Sequence, residues 1–217
     1  VAERNISPGL YAITDTRLLP GERLFTEVAA AIRGGAVVIQ YRDKVSSPRE
    51  RLYQAGKLQV LCAGAGVPLL INDDPKLALE VGAAGVHLGQ SDFSLERARA
   101  MLGSEAIIGA TCHGSLSLAR QAVEASADYL AFGRFFGSQT KPEAVPAEPG
   151  VLAEAKQLDR PLVAIGGITA ENGAQLIRAG ADCLAVIGGL FASPDTEQAA
   201  RELSRLISAH HPAAPGR

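Results

Sequence analysis

"LFTEVAAAIRGGAVVIQYRDK", residues 24–44, changes its pattern three times. Phe25, Val28, Ala29 and Ile32 recur at intervals of three and four, which gathers apolar side chains on one face of a helix. Gly34 and Gly35 follow; glycine there supplies the turn that ends a helix. Val37, Val38 and Ile39 then read as a near-continuous apolar run, the pattern of a strand buried on both faces. The run ends in Gln40, Arg42, Asp43 and Lys44. A strand built for a dry interior thus delivers an amide and two cations at its C-terminal end.

The same unit recurs outward in both directions. Apolar runs stand at 9–14, 37–41, 68–72, 85–89, 106–111, 128–133, 161–167 and 183–188. Helical segments are expected near 22–34, 48–65, 75–82, 94–102, 115–126, 148–158, 170–179 and 194–209. Strict alternation means βαβ units and a parallel sheet. Eight repeats predict an α/β fold of one kind, a single closed (β/α)8 TIM barrel, here near the small end of its size range. One domain is expected over 1–217, with a core of about 9–209 and a frayed tail "HHPAAPGR". An open doubly wound sheet is the rival architecture. Helix ends such as "RAGADCLAVIG" (178–188) and "VGAAGVHLG" (81–89) read as architecture.

Composition narrows the function. The chain is 47% hydrophobic and 20% charged, with a formal net charge of −2, which excludes bulk binding of nucleic acid or an anionic membrane. No apolar run approaches the ~18 residues of a membrane span, and "VAERNISPG" lacks the layout of a secretory signal. Cys62, Cys112 and Cys183 show no CxxC spacing, so neither a disulfide framework nor a zinc site is expected, and a cytoplasmic location is. The partners expected are small molecules; the oligomeric state is left open, a homo-oligomer included.

Functional groups of such a barrel sit where its strands end. The runs end in Thr14 and Asp15; Gln40, Arg42 and Lys44; Asn72, Asp73 and Asp74; Gln90 and Asp92; Thr111 and His113; then the loop Ser138, Gln139, Thr140 and Lys141. The last two end in "IGG" (165–167) and "VIGG" (186–189), where backbone N–H groups can approach a phosphate. Asp73 and Asp92 follow neighbouring strands and suit Mg²⁺, which takes one or two carboxylates plus phosphate oxygens. Asp74, before Pro75, fits a helix cap better. Arg42 and Lys44 lie two apart and project to one side of an extended chain, with Lys141 across the mouth. A diphosphate is the natural guest. His113 is a general acid–base candidate or a structural histidine, His87 lines or packs the barrel, and Cys112 has no activating partner.

The motifs "YAITD" (11–15), "QYRDK" (40–44), "IND" (71–73), "GVHLGQSD" (85–92), "IGATCH" (108–113), "SQTKPEA" (138–144) and "AIGGIT" (164–169) occur in one order over nearly the whole chain. On them the sequence resembles the thiamine phosphate synthase family. The resemblance implies a transferase of the thiamine-phosphate diphosphorylase type. Such an enzyme joins hydroxymethylpyrimidine diphosphate to thiazole phosphate and yields thiamine phosphate and diphosphate. It implies that Gln40, Tyr41, Arg42, Asp43, Lys44, Asn72, Thr111 and Lys141 hold the pyrimidine diphosphate, with Arg42, Lys44, Lys141 and Thr111 at the chemistry. Asp43 has two open roles, orienting Arg42 or Lys44 or facing water. Asp73 and Asp92 fall on Mg²⁺ positions; Ser138, Gln139, Thr140, Gly166, Gly167, Ile187 and Gly188 fall on the thiazole-phosphate site.

Four positions depart from the family pattern. Thr111 and Ser138 exchange one hydroxyl residue for another, Arg134 stands where proline is common, and Gly188 stands where serine is common. The chemistry implied is a dissociative displacement: an electron-rich aminopyrimidine stabilises the cation left by the diphosphate, and the thiazole nitrogen attacks it. That asks for electrostatic stabilisation and positioning rather than a strong base. The alternatives are a thiazole tautomerase with His113 at its centre, another phosphate-binding barrel isomerase, and a silent ligand sensor.

Overall fold

In the computed structural model, which describes residues 5–90, 93–137 and 145–212, the alternation closes on itself. The strands are β1 (Gly9–Ile13), β2 (Ala36–Tyr41), β3 (Leu69–Asn72), β4 (Gly85–Leu88), β5 (Ile107–His113), β6 (Tyr129–Gly133), β7 (Leu162–Ile165) and β8 (Cys183–Val186). Each pairs in parallel with the next, and β1 also pairs with β8, so the sheet is a closed barrel and not an open one. The helices are α1 (Arg23–Arg33), α2 (Pro48–Ala65), α3 (Pro75–Val81), α4 (Leu95–Leu102), α5 (Leu116–Glu124), α6 (Gly150–Ala155), α7 (Ala174–Arg178), α8 (Gly188–Phe191) and α9 (Thr196–His210). None is long and apolar enough to cross a membrane.

Strand parity divides the core in two. Outward residues such as Leu10, Ile39, Ile71, Leu130 and Leu184 pack under the helices. Inward residues, among them Tyr11, Ile13, Val38, Leu70, Tyr129, Val163 and Ala185, fill the barrel. This is the period-two alternation of a strand, both faces being dry.

The helix boundaries have local causes. Ser47 caps α2 by accepting from Glu50 N at 3.2 Å, with Pro48 in the first turn and Gly66 in a left-handed turn at the end. Asp74 caps α3 by accepting from Leu77 N at 3.0 Å, the role its place before proline suggests. The segment expected at 170–179 keeps only α7 as helix, because Asn172 ties the preceding turn: it accepts from Thr169 N and donates to Gly167 O, both at 2.9 Å. The glycine pair after β8 opens the short helix α8, which the apolar pattern does not announce.

Two aspartates pin the end of the barrel opposite the rim. Asp128 accepts from Ile108 N at 2.7 Å and pairs with Arg99 at 2.6 Å. Asp182 accepts from Leu162 N at 2.7 Å and pairs with Lys156 at 2.7 Å. Each stands just before its strand, takes an N–H from the start of a neighbouring strand and is held by a cation from elsewhere. Asp182 also holds His211 at 3.0 Å, which ties the start of the expected tail to the barrel; residues 213–217 lie outside the described residues.

Candidate active site

The strand ends surround a cavity of about 870 Å³. Its floor is largely apolar, with Ile13, Ala131, Val163 and Ala185, and the polar tips of Tyr11 and His87 stand beside them. Small residues on β6 and β8 leave the space that bulkier ones would fill. Gln40, Arg42, Lys44, Asn72, Asp73, Thr111, Gly166, Gly167, Ile187 and Gly188 all line it, as the strand-end argument expects. Asp92, Ser138, Gln139, Thr140 and Lys141 lie outside the described residues.

Tyr41 and Asp43 are not among the lining residues, because parity turns them outward. Tyr41 Oη lies 2.9 Å from Gln54 Oε1 on α2 and 3.2 Å from Asp43 Oδ2. Asp43 Oδ1 accepts from Val45 N and Ser46 N, both at 2.9 Å. Burial acts to raise the Asp43 carboxyl, yet these hydrogen bonds hold it below its ordinary value. The pair ties the rim loop to α2. Asp43 therefore settles the turn between Arg42 and the helix without touching either cation's head group in any bond found there.

Arg42 is held from β1. Its backbone N donates to Thr14 Oγ1 at 2.9 Å, and its guanidinium lies 3.9 Å from Asp15. Asp15 is only 3% exposed. The Arg17 guanidinium beside it holds its carboxyl below the usual value, with Arg42 adding to the effect. Arg17 also lines the cavity, a cation the strand-end reading passes over because it lies beyond the strand. Lys44 is paired with Asp73.

Asp73 has φ +63°, a left-handed conformation that aspartate tolerates better than most residues. Its N–H is bonded to His87 O at 2.9 Å, and its carboxylate accepts from Asn72 Nδ2 at 2.5 Å. The left-handed turn separates it from the capping Asp74 and leaves it on the cavity wall.

At β5 the pairing with β6 slips between Thr111 and His113, and His113 takes φ +51°. Bulges at barrel rims re-aim side chains. Here the slip leaves Thr111 inward and puts His113 exposed at the rim, where it too lines the cavity. Cys112 points outward and is buried, which pushes its thiol up to about 12 and makes it inert as a nucleophile.

The glycine pairs divide. Phe135 N and Phe136 N bond to Ile165 O and Gly166 O at 3.2 and 3.0 Å, zipping the chain after β6 onto the chain after β7. A Cβ on Gly166 would lie 2.3 Å from Arg134 Cβ, and one on Gly167 would lie 2.2 Å from Gly137 O. Their missing side chains make room for protein. Gly188, by contrast, has nothing within 4 Å of such a Cβ and opens α8 at the cavity wall.

Known proteins resemble this chain over most of its length. A family model described as thiamine monophosphate synthase (TMP-TENI) matches residues 10–190. The chain belongs to the thiamine monophosphate synthase family. A thiamine-phosphate synthase of Marinobacter nauticus is 60% identical over 95% of this chain and 94% of its own. One of Alcanivorax borkumensis is 54% identical over 90% and 92%. The solved structure of a thiamine phosphate pyrophosphorylase from Pyrococcus furiosus is 33% identical, covers 95% of this chain and 98% of its own, and superposes with a TM-score of 0.86. As a member of that family the chain is a transferase of thiamine biosynthesis. Arg134, where the resemblance implies a proline, lines the cavity and donates to Phe136 O at 3.4 Å.

Proposed function

We propose that this mouth is where hydroxymethylpyrimidine diphosphate and thiazole phosphate are joined, with release of diphosphate. The observation that carries the reading is the convergence of Arg42, Lys44, Asn72, Asp73 and Thr111 in one cavity over an apolar floor. A single-phosphate tautomerase would need neither the cation pair nor the carboxylate.

Arg42 offers a planar fork and Lys44 a point charge to the diphosphate. Both strengthen their hold as negative charge gathers on the leaving group, so they favour the transition state over the bound substrate. Thr14 and Asp15 fix Arg42 before substrate arrives, which spares reorganisation during the reaction. The apolar floor keeps water from a carbon that carries positive charge once the diphosphate leaves. The first turn of α8 at Gly188, with Ile187, takes the phosphate of the thiazole, and the enclosing wall holds its nitrogen towards that carbon. Ser138, Gln139, Thr140 and Lys141 are assigned to the same mouth on the family resemblance.

Asp73 fits a hard cation: its carboxylate lines the cavity on the side of the diphosphate cations, and Mg²⁺ accepts one carboxylate plus phosphate oxygens. Asp73, with Asp92, would hold that ion, which neutralises charge on the diphosphate when bound. Lys44, paired with Asp73 here, would then turn its charge to the substrate.

Purified protein incubated with both substrates and Mg²⁺ should form thiamine phosphate and diphosphate in equal amounts. No product above an enzyme-free control would overturn the assignment.

A further inference from the structure

Five polar side chains form one file through the barrel interior. Gln40 Nε2 donates to Tyr11 Oη at 2.7 Å. Tyr11 Oη lies 2.8 Å from Tyr129 Oη, and Tyr129 Oη lies 2.9 Å from His87 Nδ1. His87 Nε2 lies 2.9 Å from Thr111 Oγ1. The file starts on β2, passes through β1, β6 and β4, and ends on β5 at the cavity wall. Gln40, Tyr11 and Tyr129 are at most 3% exposed, so bulk water does not interrupt that stretch, while His87 and Thr111 are half-buried at the cavity wall. The barrel is built around it: a Cβ on Gly109 would lie 1.9 Å from Tyr129 Cζ, and the His87 ring stacks on Tyr129 with centroids 5.6 Å apart.

The proton directions follow from one end. An amide nitrogen can only donate. Tyr11 Oη accepts from Gln40, so its own proton goes to Tyr129 Oη. Tyr129 accepts there and gives its proton to His87 Nδ1. Burial raises both phenols, which keeps each tyrosine supplied with the proton it passes on. His87 Nδ1, as acceptor, carries no hydrogen, so Nε2–H donates to Thr111 Oγ1. The Thr111 proton is then turned away from the file.

We propose that this file is a polarity lock: it sets the proton of His87 on Nε2 and leaves the Thr111 hydroxyl as a donor into the cavity. Tyr11, Tyr129 and His87 are positioning residues that act through Thr111. The consequence for catalysis rests on the function proposed above: the donated proton meets an oxygen of the departing diphosphate, where negative charge grows. Successive hydrogen bonds in a dry interior polarise one another, which strengthens the last donor.

The test uses the full chain labelled with ¹⁵N-histidine. Long-range ¹H–¹⁵N spectra near neutral pH read which ring nitrogen of His87 carries the proton, with His87→Gln serving only to assign its signals. The expected pattern is a protonated Nε2 and a bare Nδ1. Tyr11→Phe removes the link that sets the direction and keeps the ring. It should mix the two tautomers and lower kcat about tenfold, the worth of roughly one hydrogen bond. KM for thiazole phosphate should be unchanged. A His87 protonated at Nδ1, or at both nitrogens, in the unsubstituted protein overturns the proposal. So does Tyr11→Phe with the tautomer and kcat both unaltered. The nitrogen signature needs no turnover, so it stands or falls separately from the reaction assigned to the mouth.

Discussion

Arg42 and Tyr41 are neighbours in sequence and opposites in role. Arg42 faces the cavity with Thr14 and Asp15 behind it, while Tyr41 faces α2 and braces Asp43. Arg42→Ala should lower kcat/KM by about 10²–10³, the usual loss of one donor aimed at developing charge, with little change in melting temperature. Tyr41→Phe should do the reverse, costing about 1 kcal/mol of stability and leaving kcat/KM within about threefold. Steady-state kinetics paired with thermal melts on both variants separates the two roles. The difference was legible in the sequence: Gln40, Arg42 and Lys44 share one parity, and Tyr41 and Asp43 have the other. Matching the whole stretch "QYRDK" to a family motif hides it. Arg17 and the left-handed Asp73 were not legible, since nothing in a strand pattern reports what a turn does beyond the strand.

At the level of elements, the two glycine pairs behave differently under substitution. Gly167→Ala places a methyl group against Gly137 O in a residue with φ +62°, and should cost about 2 kcal/mol or more. Gly188→Ser meets open space and should leave the melting temperature unaltered. The added hydroxyl stands at the proposed thiazole-phosphate site and should lower KM for that substrate. Melts and substrate titrations on the two variants check both halves; a stable Gly167→Ala would contradict the zipper between the chains after β6 and β7. That zipper is a long-range contact between two loops, and no local spacing encodes it. The bulge that sets His113 at the rim of the cavity is of the same kind.

Across the whole molecule, the barrel was legible because alternation and burial on both strand faces are one-dimensional signals. The interior file from Gln40 to Thr111 was not, because Tyr11, His87 and Tyr129 lie on three separate apolar runs and only closure brings them together. Closure also depends on the aspartates at the far end. Asp182 is raised by burial but held lower by Lys156, His211 and Leu162 N–H, and the net result is a carboxyl below its ordinary 3.8. A carboxyl depressed by folding stabilises the fold above its unfolded pKa and loses that contribution as pH falls through its folded value. Urea unfolding of the Asp182→Asn variant should therefore show a weaker loss of stability between about pH 5 and pH 2 than the parent protein, with full activity at neutral pH. The account's central claim is about place: pyrimidine diphosphate and thiazole phosphate meet at this mouth. A crystal structure with thiamine phosphate, diphosphate and Mg²⁺ tests it most directly. The account predicts diphosphate among Arg42, Lys44 and Asp73, with the thiamine phosphate group at Gly188. Products bound away from these residues, or diphosphate held without Arg42 and Lys44, would contradict it.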